Sequence, residues 1–128
     1  MNRGDRYRIE ALVELAAVFP AALTVAEVAR RRSIPEAFLA RLLGALRRAG
    51  VLATVRGPGG GVRLARPPQG IALSDVLPIA TVPVGDGGPA AWLHERLATE
   101  RRRVLGALTI ADLHAVERTQ AGIPDFDI

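Results

Sequence analysis

Apolar residues recur at helical spacing from the start of the chain. Ile9, Leu12, Val13, Ala16 and Phe19 form one stripe, which predicts a helix from about Asp5 to Phe19, stopped by Pro20. A second helix opens on Thr24-Val25-Ala26-Glu27, a capping box in which hydroxyl and carboxylate each take the other residue's backbone N–H. Val25, Val28 and Ala29 face inward, and Arg30, Arg31 and Arg32 end the helix where cations suit its dipole. A third helix starts near Ser33-Ile34-Pro35-Glu36 and ends at Gly50. Its apolar face is Phe38, Leu39, Leu42, Leu43 and Leu46; its opposite face is Ala37, Ala40, Arg41, Gly44, Arg47 and Arg48. Two helices joined by about three residues, the second amphipathic and basic, read as helix-turn-helix.

The period then changes. Val51 to Arg56 is β-branched, Gly57-Pro58-Gly59-Gly60-Gly61 follows, and Val62-Arg63-Leu64 returns, the pattern of a hairpin with a glycine-rich tip. Arg66 to Gly70 reads as a linker, Ser74 to about Ala80 as a short helix strained by Pro78, and Thr81 to Pro89 as a loop. A long helix is expected from about Ala90 to Leu105, with Leu93, Leu97, Val104 and Leu108 near one face. Thr109 to Asp112 resembles a second capping box, opening a last helix to about Glu117, and Gln120 to Ile128 reads as a frayed tail. The fold class is thus mainly α with one small β-hairpin. It divides into a winged helix-turn-helix domain over residues 1–82 and a loop, a long helix and a C-terminal helix over 83–128.

Composition narrows the function. Apolar residues make up 49%, enough for a core and too many for a disordered chain. Neither a run of roughly 18 apolar residues nor a signal-peptide pattern is present, so the expected location is the cytoplasm and no membrane partner is expected. There is no cysteine, which leaves no donor for a disulfide, a Cys–Zn site or a cysteine-held iron–sulfur cluster. All 17 basic residues are Arg. Residues 1–66 hold 12 Arg against 5 acids, net +7, and residues 67–128 hold 5 Arg against 8 acids, net −3. A basic half beside an acidic half suggests a polyanion-binding surface at one end.

The third helix offers small residues and arginine on its outer face. Ala37, Ala40 and Gly44 allow close approach to bases, Arg41 can donate twice to guanine, and Arg47 and Arg48 can meet phosphates. The same pattern also describes an ordinary amphipathic helix with a solvated face. Gly44 tilts the choice, since a mid-helix glycine costs about 1 kcal/mol relative to alanine. In the hairpin, Arg56 stands before the tip of Gly57, Gly59 and Gly60 and could enter a narrow minor groove, with Arg63 on the backbone. A plain surface turn is the alternative. A nucleotide-phosphate loop is rejected, because no Lys-Ser/Thr and no helix follow.

Taken in order, these elements resemble the bacterial winged-helix regulator family containing IscR, NsrR and CymR. The resemblance rests on Arg6-Tyr7, Phe38-Leu39, Leu42-Leu43, Leu46 to Gly50, Ile71 to Leu77, Leu108 to Leu113 and, most specifically, Val55-Arg56-Gly57-Pro58-Gly59-Gly60-Gly61. It implies a transcriptional regulator, most simply a repressor, that binds double-stranded DNA as a homodimer. Arg6 and Arg8 join the DNA-facing set, and the long helix, with Trp92, Leu93, Leu97, Val104 and Leu108, would pack against its mate. Trp92 could instead line a ligand pocket.

Three departures stand out. Pro35, Glu36 and Ala37 lack the hydroxyls the family offers to phosphate, and Ala40 replaces a base-reading acid, so no operator sequence carries over. The family's sensing cysteines would fall between about Thr81 and Ala91, where there is none; no cofactor is therefore expected, and a small-molecule effector is left open. His94 and His114 read as structural or solvated rather than as metal ligands. Asp86, Asp125, Asp127 and the Arg101-Arg102-Arg103 run read as solvated. Catalysis has no motif behind it. The rival to DNA binding is a winged helix reused to bind a protein.

Overall fold

A computed structural model describes residues 1–78 and 87–122. Three helices come first: α1 (Arg3–Val18), α2 (Val25–Arg32) and α3 (Glu36–Arg48). An antiparallel hairpin follows, β1 (Leu52–Val55) and β2 (Gly61–Leu64), in the register Leu52↔Leu64 to Val55↔Gly61. Two 3-10 turns, Pro68–Gly70 and Leu73–Asp75, lead on to α4 (Pro89–Ala107) and α5 (Ile110–Gly122). Among the described residues no helix is long and apolar enough to cross a membrane.

Each boundary has a local cause. Asn2 caps α1 by accepting the Asp5 N–H at 2.8 Å, so this helix starts two residues earlier than its apolar stripe implies. The α2 capping box forms as expected: Thr24 Oγ1 accepts the Glu27 N–H at 3.1 Å, and Glu27 Oε1 accepts the Thr24 N–H at 3.3 Å. Ser33 ends α2 in the left-handed region, and the turn closes as the Ile34 N–H reaches the Ala29 carbonyl. Gly50, at φ +83°, follows the Ala49 cap of α3. The Thr109–Asp112 box opens α5, with the Thr109 N–H donating to Asp112 at 2.8 Å.

The core gathers Leu12, Leu15, Val28, Leu39, Leu43, Leu64 and Ile71, all fully or nearly fully buried. Leu105 and Ile110 belong to the same cluster. Ala72 and Thr109 form a β-bridge, and the Leu73 N–H donates to the Leu108 carbonyl at 2.9 Å. One core therefore continues across the boundary drawn at residue 82, with α5 packed on α1.

Two expectations need correction. The helix expected over Ser74 to Ala80 is instead the 3-10 turn Leu73–Asp75; residues 79 and 80 lie outside the described residues. Asp75 Oδ2 accepts both the Ala72 N–H and Arg66 Nη2 at 3.2 Å. Pro78 then has no N–H to offer and disfavours a helical residue before it. The last helix continues past Glu117 to Gly122, so Gln120 is helical rather than frayed. Of the loop expected over Thr81 to Pro89, residues 81–86 lie outside the described residues, as do Asp86, Asp125 and Asp127.

The extension of α5 coincides with an ion-pair cluster at the end of α2. Arg32 Nη1 and Nη2 donate to Glu117 at 2.6 and 2.8 Å, and Nε donates to Glu14 Oε1 at 2.8 Å. Arg31 reaches the other Glu14 oxygen at 3.1 Å. The hydrogen bonds from Arg32 hold the Glu117 carboxyl below its ordinary range, against an opposing push from burial; the charges of Arg32 and His114 add to the lowering. A carboxyl depressed by folding contributes stability above its unfolded value, near 4.5, and that stability is lost as pH falls through the lower folded value. Glu117→Gln is therefore expected to flatten the fall in stability below that pH in urea titrations at stepped acidity. An unchanged acid limb would show that the pair contributes nothing.

Candidate nucleic-acid interface

The helix α3 lies with Leu39, Leu42, Leu43 and Leu46 buried and Ala37, Ala40, Arg41, Arg47 and Arg48 exposed. This is the two-faced arrangement its spacing requires. Gly44 is half-buried, and a Cβ there would meet only the Arg48 side chain, at 3.5 Å. Space around Gly44 thus does not demand glycine. Pro35 stands at the N-cap without a side-chain bond, consistent with the missing hydroxyls there.

Phe38 departs from its expected place. Periodicity puts it on the apolar face, yet it is only half-buried. The Tyr7 ring meets it edge-to-face, with centroids 5.6 Å apart and planes at 82°, and Arg41 Cζ lies 5.4 Å from the Phe38 centroid. The i, i+3 spacing of Phe38 and Arg41 is the sequence signal for this contact.

The hairpin is fastened to the helical unit by one residue that carries no strand pattern. Leu23 bridges Val62: the Leu23 N–H donates to the Val62 carbonyl at 2.9 Å, and the Leu23 carbonyl accepts the Val62 N–H at 2.8 Å. Arg56 is exposed at the end of β1, and the Gly60 N–H closes the tip on the Gly57 carbonyl at 2.9 Å. The glycines have backbone reasons to be there. Gly57 and Gly59 take φ of +86° and +75°, and a Cβ on Gly60 would lie 2.3 Å from the Val55 carbonyl oxygen.

Several arginines are tied up within the fold, while Arg3, Arg30, Arg96, Arg101 and Arg118 are exposed and form no side-chain hydrogen bond or ion pair among the described residues. Arg8 pairs with the buried Asp5 at 2.9 Å, Arg31 and Arg32 pair with Glu14, and Arg66 ties Asp75 and the Gly70 carbonyl. Arg8, expected among the DNA-facing residues, is thus committed inside α1. Arg63 donates to the Leu64 carbonyl at 3.1 Å, and Arg6 approaches Glu10 at 4.0 Å. Arg41, Arg47, Arg48 and Arg56 are exposed and form no hydrogen bond or ion pair among the described residues.

The long helix α4 buries only Ala98 and Leu105. Trp92 is 66% and Leu97 61% exposed, and Leu93, Val104 and Leu108 are exposed as well. Arg102 and Arg103, expected to be solvated, are exposed and face Glu95 and Glu100. His94 and His114 are half-buried on different helices, and among the described residues no group of three or more acids and histidines gathers.

This architecture is that of a winged-helix regulator. The family model "Rrf2: Iron-dependent Transcriptional regulator" matches residues 1–84, and the chain belongs to that family. It is 43% identical over 80 residues to the HTH-type transcriptional regulator IscR of Cereibacter sphaeroides, covering 60% of this chain and 52% of that one. It is 39% identical over 87 residues to a putative rrf2-like HTH-type regulator of Rhodobacter capsulatus, covering 61% and 58%. The chain thus spans between half and three-fifths of the length of these relatives. Among solved structures, T. potens IscR superposes with a TM-score of 0.81 at 25% identity, over 98% of this chain and 92% of that one. CymR, the global cysteine regulator of B. subtilis, superposes with a TM-score of 0.79 at 28% identity, over 91% and 96%.

The family's description includes iron, and this chain's donor set does not fit a thiolate-held cluster. It has no cysteine, and its two histidines stand on separate helices.

Proposed function

We propose that the chain is a sequence-specific DNA-binding transcriptional regulator, most simply a repressor, acting as a homodimer without an iron–sulfur cofactor. The observation that carries this is the grouping of four exposed arginines on the helix-turn-helix and its wing: Arg41, Arg47 and Arg48 on α3 and Arg56 at the hairpin tip have no acidic partner among the described residues, whereas Arg8, Arg31, Arg32 and Arg66 are paired with acids. Arg47 and Arg48 suit phosphates, Arg41 a guanine edge, and Arg56 the minor groove. Ala37, Ala40, Gly57, Gly59 and Gly60 keep the approach thin, and Arg6 and Arg63 flank it.

Dimerisation is supported by α4, which leaves Trp92, Leu93, Leu97, Val104 and Leu108 uncovered on one chain. Large apolar side chains left in solvent along one helix and its cap suit an association face. A symmetric pair would set two copies of α3 about one helical turn apart, roughly 34 Å, on a palindromic site.

The test is binding to DNA fragments from the protein's own promoter region, followed by fluorescence anisotropy across a salt series. Two phosphates from Arg47 and Arg48 on each of two protomers predict a log–log slope of about −3.6 or steeper. A flat plot would remove nucleic acid as the partner and leave the protein-docking alternative.

A further inference from the structure

An unpartnered arginine on a helix surface samples many rotamers, and a bidentate contact to a base edge requires one of them. Arg41 has no acid to fix it, yet it is not adrift. Its guanidinium lies over the Phe38 ring one turn earlier on α3, and Phe38 in turn is braced edge-to-face by Tyr7 from α1. Phe38 is also out of keeping with the rest of its face: Leu39, Leu42 and Leu43 are buried, whereas its ring stays half in solvent, where it can carry a cation.

We infer that Phe38 is a positioning residue for DNA reading, a ring platform, steadied by Tyr7, that holds the Arg41 guanidinium in the pose from which it donates to a guanine edge. The inference rests on the base-reading role of Arg41 and adds a residue that touches no base itself. A flat ring face restricts the guanidinium to a plane while leaving its N–H edge free to donate, which an acidic partner would not. The platform therefore sharpens base choice rather than supplying affinity.

The test is selection from a pool of random-sequence duplexes, read position by position, for the unaltered protein and for Arg41→Ala, Phe38→Met and Phe38→Tyr. Phe38→Met keeps apolar volume and removes the ring. Arg41→Ala should erase a guanine preference at one position of each half-site. Phe38→Met should lower the preference at that same position by about two- to fivefold, the worth of an exposed cation–π contact, with the other positions and the salt slope unchanged. Phe38→Tyr should restore it. Full preference in Phe38→Met overturns the platform while leaving Arg41 as the reader. Unchanged preference in Arg41→Ala overturns the base-reading assignment, and the platform with it. Should Phe38→Met fail to fold, Tyr7→Leu serves in its place: a looser choice at the same position supports the platform, and an unchanged one overturns it.

Discussion

Arg56→Ala is expected to weaken binding to a selected operator duplex by roughly 30- to 1,000-fold while leaving the melting temperature where it was. Losing a groove-reading arginine costs about 1–2 kcal/mol, and a symmetric site counts the loss twice, which sets that range. Stability should be spared because Arg56 is exposed and bonds to nothing else described. The hairpin closes through backbone pairs from Leu52↔Leu64 to Val55↔Gly61, and the tip through Gly57 and Gly60, none of which needs the side chain. Surface changes of this kind stay within about 0.5 kcal/mol. The loss should also be larger on A·T-rich sites, whose narrow minor groove concentrates negative potential on an inserted arginine. Anisotropy titrations beside thermal melts separate the outcomes. Unchanged affinity removes the wing from the interface, and a fall in both readouts would mean that Arg56 holds the hairpin together.

Much of this arrangement is legible in the residues because its causes are local. The capping boxes at Thr24 and Thr109, the glycine after α3 and the two faces of α3 each depend on neighbours within one or two turns. Long-range partners are not legible in that way. Arg30 to Arg32 look like cations suited to a helix end, yet Arg32 is taken up by Glu117, 85 residues away. That contact accompanies a helix that outruns its own apolar pattern. Periodicity also finds the apolar stripe of α4 without saying whether the same chain covers it, and the structure leaves it open. Phe38 is the subtler case. Helical spacing assigns it to the buried side, and only the position of Tyr7 on another helix shows why the ring stops halfway.

The joint between wing and helices rests on one such illegible contact, so Gly61→Ala should be strongly damaging to the attachment of the hairpin. Gly61 sits at φ +140°, and an added Cβ would stand 2.2 Å from the Leu23 carbonyl oxygen and 2.8 Å from the Thr24 nitrogen. Those atoms are backbone and cannot swing aside. Relief requires the strand to part from Leu23, giving up the paired hydrogen bonds between Leu23 and Val62 and disturbing the capping residue of α2. Two hydrogen bonds at about 1 kcal/mol each, with the strain of a side chain at positive φ, amount to about 3–4 kcal/mol. That is a large share of a small domain's total of about 5–15 kcal/mol. The control is Gly59→Ala, at φ +75° with nothing within 4 Å of its Cβ, where only the backbone preference of about 1–2 kcal/mol is at stake. Urea denaturation should rank the two accordingly. DNA binding measured well below the melting range should fail for Gly61→Ala and persist for Gly59→Ala, since the first frees the wing from α2 and the second leaves its anchor alone. Equal stability in the two variants would show that the Leu23 bridge does not hold the wing.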